Sequence, residues 1–450
     1  MTDRRLKGRN EITQGVIWKQ LLIFFCPIML GTFFQQLYNT ADAFVVGKGV
    51  GKEALAAVGG TTGSLVNLLV GFFIGLASGA TVIISQYYGA EDTEKVGKGI
   101  HTAAAMALAF GLVLTAVGLT LTDWMLGLMN TPAEVLPYAA VYLRIIFGGM
   151  VPSVIYNVGT GIMRALGDSR RPLYYLIASC LTNIALDVLF VLVLRMGVAG
   201  AAWATVLSQL VSAVLVVRSL CRREEGSRLI LRRIRIDPRQ FRRIVEIGLP
   251  AGLQSVMYSL SNVIIQKAVN GFGTDALAGW TAYGKLDGVY WMIVNAFGIS
   301  VTTFVGQNYG AGKMDRVKKS VRDCMMMTAV MTVVISVPLY LFGDTFYRIF
   351  TDDPGVIREG VHMLRLLVPF YITYIPIEIL SGALRGAGDT LVPTLLTLVC
   401  ICLLRVVWII FLAPVYGSID IVLWSYPVTW VLTGGLFILY YRSRKWTAAR

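Results

Sequence analysis

Twelve stretches of this 450-residue chain run apolar for about twenty residues or more, the length that crosses a bilayer as a helix. They fall at 17 to 46, 55 to 87, 99 to 121, 136 to 163, 173 to 194, 198 to 217, 244 to 270, 277 to 305, 324 to 343, 360 to 384, 393 to 413 and 421 to 441. They are too long and too continuous for barrel strands, which alternate weakly over about ten residues. The composition agrees: 56% hydrophobic and 15% charged residues with a mean hydropathy of +0.67 lie outside the range of soluble globular domains. The expected fold is therefore an all-α polytopic membrane protein of twelve helices. The opening "MTDRRLKGRN" reads as a short polar lead into a long first span rather than a cleaved signal peptide.

A net charge of +14 would suit nucleic acid if the charges were free to face it. Their placement says otherwise. With both termini in the cytoplasm, one side collects Arg4, Arg5, Lys7, Arg9, the run from Arg218 to Arg243, the group Lys313, Arg316, Lys318, Lys319 and Arg322, and the tail Arg442, Arg444, Lys445 and Arg450. The opposite loops "NTPAEV", "GFGTDA" and "APVYGS" contain no Lys or Arg. This asymmetry orients membrane proteins. The basic stretches are loops beside an anionic leaflet, so membrane lipid rather than nucleic acid is the expected neighbour. Six cysteines include no CxxC, and His101 and His362 lack a neighbouring metal-ligand partner. Disulfides, thiol chemistry and a metal site are not expected.

The chain repeats itself. "QYYGA" at 86 returns as "QNYGA" at 307, and "RALGDSRRP" at 164 returns as "RGAGDTLVP" at 385, both 221 residues apart. "YLRI" at 142 and "MLRL" at 363 keep that offset, and Pro27 and Asn39 map to Pro250 and Asn262 at an offset of 223. One six-helix unit has been duplicated. Six is even, so both copies enter the membrane in the same sense, related by an axis along its normal. The expected organisation is an N-lobe over 1–220, a basic cytoplasmic linker over 221–243 and a C-lobe over 244–450, two bundles around a central cleft. The two "R-x-x-G-D" motifs sit at the cytoplasmic ends of spans 4 and 10, where Gly and Asp suit a tight turn, Arg a helix-end cap and Pro the next helix start.

A carboxylate at mid-span costs several kcal/mol or more unless it faces protein or water. In "QQLYNTAD", Gln35, Asn39 and Asp42 fall on one stripe of the first helix at about 100° per residue, with Gln36 beside them. Ser179, Asn183 and Asp187 form a second stripe in span 5, and Thr205, Ser208, Gln209 and Ser212 a third in span 6. Turning the three seams together places Asp42 and Asp187 in one pocket ringed by amide and hydroxyl oxygens. Two such carboxylates repel each other, so one is expected to hold a proton near neutral pH, or the same oxygens to coordinate Na⁺. The opposing reading pairs the acids with Arg144 as static glue.

Asp42 and Asp187 fall opposite Ile265 and Trp408 in the second copy, so an ion site would belong to the first lobe alone. The second lobe offers Tyr283, Asp287 and Tyr290 along span 8, with Trp291 beside them, and Tyr371, Tyr374 and Glu378 in span 10. Aromatic faces beside a carboxylate suit a bulky organic cation, although the aromatics also suit packing and Asp287 could pair with Lys267 or Lys285.

At this point the chain resembles the multidrug and toxic compound extrusion (MATE) transporters, most of all their DinF-like bacterial branch. The resemblance covers essentially the whole length and rests on "PIMLGTFFQQLYNTADAFVVG", "SQYYGA" and "GQNYGA", "RALGDSRRP" and "RGAGDTLVP", "TNIALDVLF", and "GVAGAAWATVLSQ". It implies two six-helix lobes exporting diverse, mostly cationic compounds against inward H⁺ or Na⁺. It implies Asp42, Asn183, Asp187 and Thr205 as the ion-coupling group, Pro27 as a bending point of span 1, and the bacterial cytoplasmic membrane as the location. The NorM-like branch carries an acid in span 7 where Tyr258 stands here, so a second-lobe ion site of that kind is not implied. The reading is a monomeric antiporter without an organic cofactor and without enzymatic activity, working by alternating access. Gln35, Gln36, Asn39, Tyr283, Asp287, Tyr290 and Glu378 are the substrate candidates. The alternative is a lipid-linked precursor flippase of similar architecture, which should expose arginines within its central cavity. An intramembrane enzyme lacks a zinc motif, an activated nucleophile or a paired-aspartate setting in this sequence.

Overall fold

Each apolar stretch becomes helix in the computed structural model, which describes residues 11–59, 61–129, 131–443 and 445–448. Arg4, Arg5, Lys7, Arg9, Arg444 and Arg450 of the expected basic face lie outside the described residues. In chain order the helices are α1 (Glu11–Gln14), α2 (Ile17–Gly49), α3 (Lys52–Gly59), α4 (Thr61–Gly89), α5 (Thr93–Leu128), α6 (Leu136–Gly148), α7 (Met150–Ala165), α8 (Arg170–Asp187) and α9 (Gly197–Cys221). The second half gives α10 (Pro238–Val269), α11 (Thr274–Gly310), α12 (Met314–Leu341), α13 (Gly343–Tyr347), α14 (Pro354–Leu367), α15 (Tyr371–Ala387), α16 (Leu391–Thr397), α17 (Leu404–Tyr416) and α18 (Ile419–Arg442). α8 continues into a π-helical run, Val188–Val193, and a second π-helical run, Leu398–Leu403, joins α16 to α17.

Among the described residues, ten of these segments are long and apolar enough to cross a membrane, and an eleventh forms when α6 and α7 are taken together across their 53° bend. Gly148, Gly149 and Pro152 explain that bend, since glycine pairs and proline are where helices kink. α10 supplies the twelfth span. At 32 residues it is long enough, about 48 Å at 1.5 Å per residue, but Arg239, Arg242, Arg243 and Glu246 make its first half polar. The expected stretch over 55–87 is corrected at one point: the short α3 precedes α4 as a separate helix. The protein is an all-α polytopic membrane protein with the twelve-helix, two-repeat architecture expected.

The residues group into two units, Ile23–Ser255 and Val256–Arg450 with the described residues up to Leu22. The division falls inside α2 and inside α10. In the first unit the amino half of α10 lies against α4 through glycine. A Cβ on Gly248 would sit 1.9 Å from the Leu76 carbonyl oxygen, and one on Gly79 2.2 Å from that of Ile244. The basic linker is fastened rather than loose: the Ile230 N–H donates to His101 Nε2 at 3.1 Å, the Asp237 N–H to Thr102 Oγ1 at 3.2 Å, and Arg243 to the Tyr87 hydroxyl at 2.6 Å. In the second unit α11 and α15 meet through Gly298, Gly382 and Gly386, and Thr302 Oγ1 donates to the Gly382 carbonyl at 3.0 Å. Arg316 donates to the carbonyls of Ile12 and Gly15, both at 2.9 Å, and so ties residues 12–15 to α12.

The repeated motif is a helix stop in both units. Gly167 and Gly388 take φ of +86° and +99°, the left-handed region that glycine enters without penalty. Asp168 and Asp389 follow, their N–H groups bonding back to Met163 and Leu384. Each carboxylate then reaches a neighbour: Asp168 takes Arg223 at 3.0 Å and Asp389 the Tyr440 hydroxyl at 2.6 Å. The arginine does not cap carbonyls as expected in the second copy, where Arg385 donates to Ser381 Oγ at 3.3 Å.

Candidate functional site

In the first unit, the repeated polar spacing carries α2, α8 and α9 side chains to one place. Asp42, Asn183, Asp187 and Thr205 are all buried, Asn183 and Asp187 completely. Asp187 lies within electrostatic reach of Asp42. Cross-links hold the three helices: the Tyr38 hydroxyl donates to Thr205 Oγ1 at 3.3 Å, Ser179 Oγ donates to the Ser208 carbonyl at 2.7 Å, and Cys180 Sγ approaches the Phe34 carbonyl at 3.7 Å. Both Asp187 carboxylate oxygens, Asp42 Oδ1 and both Asn183 amide atoms are buried without a hydrogen-bond partner. Buried polar atoms are almost always paired. Five such atoms on three side chains therefore mark one polar site.

Arg144 does not neutralise these acids. It forms a two-pronged pair with Asp123 at 2.9 and 2.7 Å, largely exposed. No ion pair among the described residues involves Asp42 or Asp187. An acid pair beside amide and hydroxyl oxygens can hold a proton or a hard monovalent cation. Among the described residues no three His, Cys, Asp or Glu groups lie close enough to hold a multivalent metal, and the six cysteines are free.

The first-helix stripe divides. Asp42 turns inward, whereas Gln35, Gln36 and Asn39 are exposed, with Asn39 Nδ2 donating to Gln36 Oε1 at 3.3 Å. Tyr38 and Tyr142 are the side chains that periodicity missed: both lie within electrostatic reach of Asp42 and Asp187. The i, i+4 spacing of Tyr38 and Asp42 carried that signal, since such pairs share a helix face. Pro27 sits inside the continuous α2, four residues past the unit boundary at Ile23.

In the second unit, Asp287 pairs with neither Lys267 nor Lys285. Its Oδ1 accepts the Tyr371 hydroxyl at 2.6 Å and its Oδ2 the Trp291 indole N–H at 2.6 Å. The Tyr283 hydroxyl lies 3.0 Å from that of Tyr371, and the Tyr290 hydroxyl donates to the Tyr371 carbonyl at 2.8 Å. Tyr290 and Tyr371 stack at 4.1 Å, and Trp291, Tyr374, Tyr426 and Trp430 extend the aromatic wall. Glu378 joins the far end of that wall, hydrogen-bonded to Tyr374 and within electrostatic reach of Arg385. A Cβ on Gly298 would meet its Oε1 at 2.2 Å, so the glycine makes room for it.

The MatE family model matches residues 27–189 and 250–411, once per repeat and starting at Pro27 and at its counterpart Pro250. The chain belongs to the MatE family of multidrug efflux transporters. It is similar to the probable multidrug resistance protein YpnP of Bacillus subtilis, 29% identical over 98% of each chain. A second Bacillus subtilis relative, the probable multidrug resistance protein YoeA, is 27% identical over 95% of this chain and 94% of its own. A solved structure of a MOP superfamily transporter from Pyrococcus furiosus shares the fold, with a TM-score of 0.89, 23% identity and 98% coverage of both chains. Membership makes this MatE chain a multi-pass membrane transporter of small molecules, not an enzyme.

Proposed function

We propose that this MatE protein is a secondary active antiporter of the bacterial cytoplasmic membrane that exports organic, mostly cationic compounds, with H⁺ or Na⁺ exchanged at Asp42 and Asp187. One observation carries the reading: two buried carboxylates without a cationic partner among the described residues, their oxygens orphaned beside Asn183. Two unneutralised charges in low dielectric are costly, so the loaded and unloaded forms of the site differ in energy and each favours a different conformation. An ion shifts an equilibrium only by its differential affinity for the two states. Loading Asp42 and Asp187 removes negative charge and favours release of cationic cargo, and unloading restores the charge and favours capture. Asn183 and Thr205 supply neutral oxygens for a proton-bearing or Na⁺-bound carboxylate, and Tyr38 fixes the Thr205 hydroxyl.

The test is efflux of ethidium from cells expressing Asp42→Asn at unchanged protein level. Asparagine keeps the shape and removes the titrating, ion-binding charge. The expected result is loss of dye resistance; efflux equal to the parent protein refutes the coupling role.

A further inference from the structure

Arg405 is absent from the account so far. It lies near the start of α17, is 5% exposed, and holds its guanidinium 3.9 Å above the Tyr426 ring while Nη2 donates to Thr429 Oγ1 at 2.8 Å. Its Nε is buried without a partner. No carboxylate among the described residues pairs with it. A permanently charged guanidinium presents five donors in a planar fork, and burying it with one hydrogen bond and no counter-charge is costly. An aromatic face offsets part of that cost, but it leaves Nε and the charge unanswered.

Two further features mark the place. Tyr426 lies within electrostatic reach of Asp287 as well as Arg405, so a carboxyl group and a guanidinium flank one aromatic residue without forming an ion pair. Trp280 stands 6.0 Å from Tyr426, and both residues keep part of their surface exposed. Independently, each unit has a six-residue π-helical run beside a buried charge: Val188–Val193 directly follows Asp187, and Leu398–Leu403 ends two residues before Arg405. Such runs are rare and concentrate at functional sites.

We infer that Arg405 forms a carboxylate subsite in the second unit, taking the anionic group of a planar aromatic substrate whose ring lies against Tyr426 and Trp280. A carboxylate matches the free Nε edge of the fork in geometry and cancels its single charge; a doubly charged phosphate would leave excess negative charge facing Asp287. A substrate bearing both an ammonium and a carboxylate satisfies Asp287 and Arg405 together. The inference rests on the export of organic compounds proposed above and is independent of the coupling ion.

Fluorescence polarisation on the purified full-length protein, without any ion gradient, tests it with two probes: a rhodamine bearing a free carboxylate, and its methyl ester. Arg405→Gln is expected to weaken binding of the free acid by roughly 10- to 100-fold, the loss of a charge-assisted hydrogen-bonded contact, and to leave the ester unchanged. Arg405→Lys, which keeps the charge but loses the fork, is expected to fall between. Thr429→Val, which releases Nη2 without touching the charge, is expected to weaken the free acid alone. Equal loss for both dyes, loss for neither, or binding of the ester but not the acid by the parent protein overturns the subsite. A parent protein that binds neither dye overturns the export reading along with it.

Discussion

Replacing Tyr371 by phenylalanine isolates the hydrogen-bond chain that ends on Asp287. Each hydroxyl has one hydrogen, so if Tyr371 donates to Asp287 Oδ1 at 2.6 Å, then Tyr283 must donate to Tyr371 across 3.0 Å. The substitution removes both bonds at once, and leaves Asp287 the Trp291 indole and the Tyr283 hydroxyl as hydrogen-bonding neighbours. The ring remains, stacked at 4.1 Å on Tyr290, whose hydroxyl still reaches the Tyr371 main-chain carbonyl at 2.8 Å. Side-chain hydrogen bonds in membrane proteins average about 0.6 kcal/mol and reach about 1.7 kcal/mol. The bond to a carboxylate belongs at the upper end because one partner is charged. Tyr371→Phe should therefore destabilise by about 2 kcal/mol, against about 0.6 kcal/mol for Tyr290→Phe, which removes one neutral bond. Equilibrium unfolding in detergent followed by tryptophan emission reads both, and Trp291 reports locally because its indole donates to the same carboxylate. A loss for Tyr371→Phe no larger than that for Tyr290→Phe refutes the chain.

Three further expectations follow from the geometry. Gly248→Ala places a Cβ 1.9 Å from the Leu76 carbonyl oxygen, where ordinary contact begins near 3.4 Å, so α4 and α10 must part at an overpacking cost of about 1–3 kcal/mol. Gly435→Ala, with nothing within 4 Å, should be neutral or gain up to about 1 kcal/mol from helix propensity, and thermal unfolding of the two variants compares them. Asp92 caps α5 through the Lys95 N–H at 3.0 Å, and hydrogen bonds from the Lys95 side chain and backbone hold its carboxyl below the usual range. Its contribution is present above the ordinary carboxylate range and is lost as pH falls through the lowered value. Asp92→Ala should therefore cost about 1 kcal/mol at neutral pH and nothing in strong acid, as denaturant titrations at the two pH values would show. Arg144→Ala removes an exposed pair with Asp123, worth about 0–1 kcal/mol, and should leave dye efflux at the parent level; its loss would restore the view that Arg144 serves the buried acids.

Span positions and the duplication were readable because both depend on local pattern: apolar runs of fixed length, and motifs returning at one offset. The burial of Asp42, Asn183, Asp187 and Thr205 in the first unit was readable for the same reason, since each lies on a polar stripe at helical spacing. What periodicity left unread depends on facing between helices. Gln35 and Asp42 share a stripe seven residues apart, yet Asp42 is buried and Gln35 is exposed. Asp287 could be matched with nearby lysines by sequence distance, but its partners come from one turn along α11 and from α15. Arg405 carried no signal beyond being one arginine in "LLRVVWII", because nothing local shows that its counter-charge is missing. α10 reads as borderline apolar because its first half combines charge with glycines, and those glycines make sense only beside α4.

The account stands on Asp42 and Asp187 exchanging an ion for cargo, and the most direct measurement imposes that ion's gradient on proteoliposomes loaded with ethidium. The parent protein should move dye under at least one of the two gradients, pH or Na⁺, applied alone in the inward-driving direction, and Asp187→Asn should move none under either. Dye movement by Asp187→Asn equal to that of the parent protein, or movement by the parent that ignores both gradients, would contradict it.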